Sequence, residues 1–187
     1  MKPSTPNDSP ARRVISFLVS PSAGESAPRA TVAIRGAVGA VFVASGLIKF
    51  FFENQGPGRF AKIGLPQAHQ LAYFVGAVEV TCGALLLVGL LTRLAAIPLV
   101  IDMIVAVATT KVPLLFGAGP EPAAAAPKTG LWAFAYQARL DVTMLVACGY
   151  LIAIGAGLWS LDAILSRRVR GGENFGAASA RLHKALG

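Results

Sequence analysis

The hydrophobic residues of this chain are collected in four long runs, separated by short polar stretches. The runs cover residues 31–52, 68–91, 94–110 and 138–161. A helix needs about 20 residues to cross about 30 Å of hydrocarbon, and each run reaches or approaches that length. None shows the alternation of a membrane-barrel strand. The pattern predicts an all-α, polytopic membrane protein, an antiparallel bundle of four transmembrane helices.

The composition supports a membrane location. Of 187 residues, 55% are hydrophobic and only 14% are charged, whereas a soluble domain carries about 25% charged residues. A water-soluble fold of this size could not bury so much apolar side chain. The lipid bilayer is therefore the expected partner of the four runs.

The chain divides into three segments. Residues 1–30 contain the Pro/Ser-rich stretches "MKPSTPNDSP" and "SPSAGESAPRA" and are predicted to be a disordered or interfacial extension. Residues 31–166 form the predicted membrane domain. Residues 167–187 are predicted to be a basic, flexible tail.

The basic residues predict the orientation. If both termini are cytoplasmic, that face carries most of the lysines and arginines, including "SRRVR" directly after the last run. The positive-inside rule then places a multi-pass protein in the cell membrane with its N and C termini in the cytoplasm. The net charge of +8 is explained by topology and anionic lipid, and nucleic acid is not an expected partner.

The spacing of the cysteines and histidines along the sequence does not predict a cofactor site. Cys82 and Cys148 lie near mid-depth without a C-x-x-C pair, so packing is the favoured role, and a buried thiol pair stays open. His69 lies at a membrane boundary and His183 in the tail, whereas membrane haem needs two intramembrane histidines. We predict no metal site and no cofactor bound covalently or by metal ligands.

Small residues at helical spacing predict where the helices touch. Close backbone approach in lipid requires residues such as glycine and alanine. Two stripes show this spacing: Gly36, Ala40 and Ala44 in the first helix, and Gly149, Ala153 and Gly157 in the fourth. We expect both stripes to face the bundle interior.

Two acids interrupt the apolar runs at mid-depth. Glu79 and Asp102 lie on consecutive helices, and a carboxylate in hydrocarbon costs about 3 kcal/mol on insertion scales. Both must face the bundle or a wet cavity. Either one of them is protonated, or Lys49 or Lys111 reaches inward. We interpret the two acids as candidate catalytic residues, although buried charges also fix helix register.

The remaining charges fall into two groups near the helix ends. Candidate ligand-binding residues gather toward the outer face: Lys49, Lys111, Arg139 and Asp141. Structural ion pairs that tie the cytoplasmic helix ends together are expected among Arg35, Arg93 and Asp162.

Several motifs in order resemble one family of membrane proteins. They are "IRGAVGAVFVASGLIKF", "FAKIGLP", "GAVEVTCGALLLVGLLTRLAA", "DMIVAVATTKVP" and "ARLDVTMLVACGYLIAIGAGLWSLDAIL", within residues 32–166. The chain resembles the DoxX family. This group is linked by name to small membrane subunits of archaeal quinol oxidase and thiosulfate:quinone oxidoreductase.

The resemblance implies a four-helix membrane fold and a quinone-linked redox role. Without redox-cofactor ligands of its own, the protein would bind quinone or dock on a redox protein partner. The alternative is a non-enzymatic anchor, assembly factor or small-molecule carrier. A homo-oligomer is compatible with either hypothesis. The resemblance implies no particular catalytic residue.

The predicted topology can be tested by labelling single cysteines in intact cells. Cys82 and Cys148 are first replaced by alanine, and cysteines are introduced at Lys62, Thr129 or Ser166. An impermeant thiol reagent should label positions 62 and 129 and leave position 166 unlabelled. Labelling of position 166 from outside intact cells would overturn the orientation.

Overall fold

Four long helices make up the fold. A computed structural model describes residues 30–118, 128–157 and 160–161. Within them, α1 is Ala30–Phe51, α2 is the short helix Pro57–Lys62, α3 is Ala68–Val88, α4 is Thr92–Leu115 and α5 is Leu131–Ile154. All but α2 are long and apolar enough to cross a membrane. The predicted all-α membrane fold is confirmed, and the orientation of its termini stays a prediction.

The two terminal segments are hardly covered by the structure. The extension predicted over residues 1–30 is described only at Ala30, and the tail predicted over residues 167–187 lies outside the described residues. The apolar runs match the described helices, except that α4 continues past Thr110 and α5 is shifted, beginning at Leu131 and ending at Ile154.

Helix α4 contains a π-helical turn. The α-helical stretch Thr92–Ala106 is followed by a π turn, Val107–Lys111, and a final α turn, Val112–Leu115. Pro113 follows this turn closely. A proline lacks the N–H for the helical bond to the carbonyl four residues earlier, and its ring clashes with that carbonyl. Widening the turn relieves the clash, and it leaves Lys111 buried inside the bundle.

The helices pack as two pairs that close into a bundle. α1 has its most extensive contact with α3, and α4 has its most extensive contact with α5. Contacts of α3 with α4 and of α1 with α5 join the pairs. The short connection after α3 begins at Gly89, whose positive φ of 71° ends the helix. It makes α3 and α4 antiparallel neighbours, as the sequence predicted.

Four glycines bring α1 and α3 into backbone contact. A Cβ added at Gly39 would lie 2.8 Å from the carbonyl oxygen of Gly83, and one at Gly46 would lie 2.7 Å from that of Gly76. No side chain fits at these points. The two helices therefore approach at two levels, one heptad apart, in an antiparallel arrangement.

Of the small-residue stripes predicted from the sequence, only Gly157 is buried against another helix, where an added Cβ would lie 3.5 Å from Thr31. Nothing lies within 4 Å of a Cβ added at Gly36 or Gly149. Ala40, Ala44 and Ala153 are exposed on the helix surface. The close contact uses glycines spaced by seven residues, because that spacing keeps them on one seam of two slightly crossed helices.

The apolar core lies between the four long helices. Its fully buried side chains include Phe42, Leu86, Leu99 and Leu151. Cys148 is buried in this core, and Cys82 packs against it, both as free thiols. The structure thus gives both cysteines the packing role expected from the sequence.

The glycine contact predicts a position-specific loss of stability. Gly39→Ala should destabilise the bundle by about 1–3 kcal/mol, because its methyl group would overlap the Gly83 carbonyl. Gly36→Ala is the matched control on the same helix, where space is open. Thermal unfolding in detergent measures both variants. Equal melting temperatures for the two would contradict the glycine contact.

Candidate functional site

The site begins with Lys49, in the last turn of α1. A Cβ added at Gly76 on α3 would lie 3.4 Å from the Lys49 Cβ. The absence of a side chain at Gly76 therefore leaves room for the stem of the lysine. Lysine buries its methylenes along apolar surface and places its ammonium where it finds a polar partner.

The ammonium of Lys49 binds the carboxylate of Glu79. The Lys49 Nζ donates a hydrogen bond to Glu79 Oε2. Glu79 lies one helical turn beyond Gly76 and its side chain is only 2% exposed. The sequence left open whether a lysine reaches the mid-membrane acids. Lys49 does so, and Glu79 is thereby compensated inside the bundle.

Asp102 brings a third charged group from α4. Its carboxyl group lies beside that of Glu79, close enough for the two to share a hydrogen bond, and Lys49 also acts on it electrostatically. Two ionised carboxylates cannot donate to each other. A hydrogen bond between them requires one shared proton, as in other closely paired acids.

One shared proton makes the three groups neutral together. Lys49 contributes one positive charge, and the Glu79–Asp102 pair with one proton contributes one negative charge. Net neutrality matters because an uncompensated charge is costly at this depth. The buried unit is therefore a lysine with a carboxyl pair that holds a proton, drawn from α1, α3 and α4.

A second ion pair lies next to the first unit. Lys111 Nζ is 3.6 Å from Asp141 Oδ2, which joins the π turn of α4 to α5. Both side chains are largely buried, with 11% and 19% exposed. Arg59 on α2 lies close enough to act electrostatically on Lys111. Because this pair is also neutral, its burial is compensated in the same way.

The two units interact electrostatically through Asp102 and Asp141. The two carboxyl groups are close enough to repel each other when both are ionised. Asp102 Oδ2 and Asp141 Oδ2 are both buried, and neither has a hydrogen-bond partner within the described part of the chain. The charged groups therefore form one network across all four long helices.

Arg139 does not join this network. Its side chain is exposed, donates to the carbonyl oxygen of Tyr136, and stacks its guanidinium 3.8 Å from the centre of the Tyr136 ring. Of the predicted ligand-binding residues, the structure brings Lys49, Lys111 and Asp141 together with the two acids. Arg139 instead resembles an interfacial anchor.

Two arginines gather at the opposite end of the bundle. Arg35 donates from Nη1 to the carbonyl oxygen of Ala156, and Arg93 donates from Nη2 to that of Ala153 at 3.1 Å. These carbonyls lie at the C-terminal end of α5, where cations are favourable. The predicted third member, Asp162, lies outside the described residues, so its ion pairs stay a prediction.

Glycines at the site were missed by sequence reasoning. Gly76 admits the Lys49 stem, and a Cβ at Gly89 would lie 2.5 Å from Arg35 Nη1. A signal for Gly76 was available, because it precedes Glu79 by three residues and shares its helix face. In the described residues, no group of three or more His, Cys, Asp and Glu side chains could hold a metal ion.

Comparison with known proteins identifies the family. The DoxX family model matches residues 30–112, which include Lys49, Glu79, Asp102 and Lys111. An "Uncharacterized membrane protein Rv3486" of Mycobacterium tuberculosis is 44% identical over 142 residues, which cover 75% of this chain and 84% of that protein.

The chain belongs to the DoxX family. No solved structure matches it. This DoxX protein is therefore a multi-pass membrane protein in contact with lipid. Membership of the family does not by itself define a reaction. The functional hypothesis therefore rests on the polar network.

The boundary arginines yield a stability prediction. Arg35→Gln should destabilise the protein by about 1–3 kcal/mol, since the Ala156 carbonyl loses a charged donor and Gln is too short to replace it. Arg139→Gln removes an exposed arginine and is the matched control. Thermal unfolding in detergent is the measurement. If neither Arg35→Gln nor Asp162→Asn lowers the melting temperature, this end of the bundle holds no structural clip.

Proposed function

We propose that this DoxX protein is a membrane subunit of a quinone-linked redox complex, in the cell membrane with both termini cytoplasmic. In this proposal the Glu79–Asp102 pair takes up and releases the proton that accompanies quinone reduction. The redox centre belongs to a partner protein. The link to quinone comes from the family resemblance, and the proton chemistry comes from the site.

The observation that carries the proposal is the carboxyl pair held beside Lys49. A hydrogen-bonded pair of acids in a buried setting stores one proton and exchanges it by a small rearrangement. A single structural acid would need no second acid, and each added carboxyl group is costly in lipid. Two acids with one lysine therefore favour proton handling over simple charge compensation.

The residues around Lys49 fit the polar end of a quinone. An ammonium and a protonated carboxyl are the donors that a quinone carbonyl accepts. Close to Lys49 in the chain, Phe50 stacks on Tyr73 at 5.5 Å, and His69 meets Tyr73 edge-on at 5.0 Å. These rings supply a flat apolar surface. A bound quinone would contribute the electron chemistry, and this chain would contribute the cation and the proton.

A second candidate function is a non-enzymatic bundle, acting as an anchor, assembly factor or small-molecule carrier. It is favoured by the neutrality of the charge network, since neutral buried networks also fix helix register. Under this alternative Glu79 and Asp102 act only through packing and hydrogen bonds.

Glu79→Gln separates the two functions. Glutamine keeps the shape and the hydrogen bond to Asp102, and Asp102 can then balance Lys49 as a carboxylate, so the melting temperature should stay close to wild type. Binding of a short-chain ubiquinone or of menadione to purified protein, and any cellular phenotype of the wild type, should weaken. Glu53→Gln removes an exposed acid and is the matched control.

The two candidate functions predict different results for Glu79→Gln. A stable Glu79→Gln variant with impaired quinone binding supports the proposed role. A variant indistinguishable from wild type in stability, binding and phenotype would show that the Glu79 carboxyl group acts only in packing. Purification in mild detergent, followed by identification of co-purified quinone or protein, checks independently for the partner.

A further inference from the structure

We propose that the first half of α5 binds an anionic phospholipid, whose phosphate is held by Arg139 beside the rings of Tyr136 and Trp132. The three side chains are exposed on the outer surface of the bundle. The inference does not rest on the proposed function, because none of these residues belongs to the charge network between the helices.

Arg139 is an exposed charge well inside a membrane-spanning helix. Helix α5 begins at Leu131, so Arg139 lies eight residues further on, about 12 Å along the helix axis. A cation that faces hydrocarbon at such a depth is costly unless its side chain reaches a polar partner. Arg139 therefore needs a polar partner at the outer surface of the bundle.

The guanidinium is turned back toward the start of α5. It donates from Nη1 to the carbonyl oxygen of Tyr136, and it stacks 3.8 Å from the centre of the Tyr136 ring. Tyr136 precedes Arg139 by three residues, so the charge lies almost one turn nearer to the helix start than the Arg139 backbone. Long basic side chains near the ends of membrane helices reach the interface in this way. The positive charge is thus presented toward the headgroup layer.

Two amphipathic rings lie on the same side of the helix start. Trp132 and Tyr136 are four residues apart and share one face of α5, where Trp132 is 76% and Tyr136 45% exposed. Tryptophan and tyrosine are enriched at the membrane interface, where their rings lie at the level of the headgroups. The guanidinium on Tyr136 therefore lies at the depth where lipid phosphates are available.

The charge of Arg139 is not balanced by the protein around it. Asp141, two residues further on, is 3.6 Å from Lys111 instead. Arg139 forms no ion pair with another described residue. A guanidinium has five N–H donors, and the Tyr136 carbonyl accepts from one nitrogen. The remaining donors match the oxygens of a phosphate, which a guanidinium binds bidentately.

The local charge favours an anionic over a zwitterionic headgroup. Lys128, three residues before α5, is a second exposed cation. Asp141 is the only acid in residues 128–157, and it is paired with Lys111. A positive surface attracts anionic lipid, whereas a zwitterionic headgroup would bring a further cation beside its phosphate. The partner that fits this surface is therefore an anionic phospholipid.

Trp132 can report on the site directly. The sequence has two tryptophans, and Trp159→Phe leaves Trp132 as the single fluorophore. Full-length protein is placed in vesicles of phosphatidylglycerol and phosphatidylcholine, with bromine on the acyl chains of one lipid or the other. Bromine quenches tryptophan on contact, so the two quenching curves give the relative affinity of the lipids at Trp132. Phosphatidylglycerol should bind about fivefold more tightly, which is the contribution of one cation near a membrane surface, and Arg139→Gln should remove the preference.

Lys62→Gln is the matched control, because it removes an exposed cation at the same end of the bundle and should keep the preference. Arg139 is exposed, so its glutamine variant should fold as the wild type does. Equal quenching by the two lipids before substitution would overturn the site. A preference that persists in Arg139→Gln, or that Lys62→Gln removes equally, would also overturn it. Loss of the preference on adding soluble glycerol phosphate would assign Arg139 to free phosphate instead, and protection of Trp132 from both lipids would assign this face to a protein partner.

Discussion

The ion pair between Lys49 and Glu79 is the interaction on which the rest of the site depends. A glutamate that is 2% exposed in the middle of a membrane helix needs a nearby cation or a proton. Lys49 supplies the cation, and the hydrogen bond to Asp102 adds an acid that requires a proton. The charge that Lys49 neutralises is therefore shared by two carboxyl groups. Because the two carboxyl groups share this charge, the pair can hold one proton as well as compensate Lys49.

Backbone packing makes the ion pair geometrically possible. The glycine contacts Gly39–Gly83 and Gly46–Gly76 bring α1 and α3 so close that the Lys49 stem lies over Gly76. From there one helical turn separates the stem from Glu79, a span that a lysine side chain covers. Gly76 therefore serves both the close packing of α1 against α3 and the placement of the Lys49 ammonium beside Glu79. A larger residue there would separate the helices and push the ammonium away from its partner.

Much of this architecture follows from sequence patterns, and some of it does not. Apolar runs of membrane length predict four helices, and the expense of burying Glu79 and Asp102 predicts that both turn inward. The helix faces in contact were mispredicted, because Gly36 and Gly39 belong to overlapping small-residue patterns and only packing chooses between them. Arg139 was grouped with Asp141 by depth alone, yet two residues along a helix point to different sides. Lys111 lies inside the bundle because of a π turn, which the hydrophobic periodicity of the sequence does not predict.

The central claim is that Glu79 and Asp102 hold one proton between them at neutral pH. Infrared difference spectra of wild type, Glu79→Gln and Asp102→Asn in nanodiscs test it most directly. The account predicts a protonated carboxyl band in the wild type at neutral pH that both variants lose, because the remaining acid then balances Lys49 as a carboxylate. A wild-type spectrum without that band, or a band that persists unchanged in both variants, would contradict it.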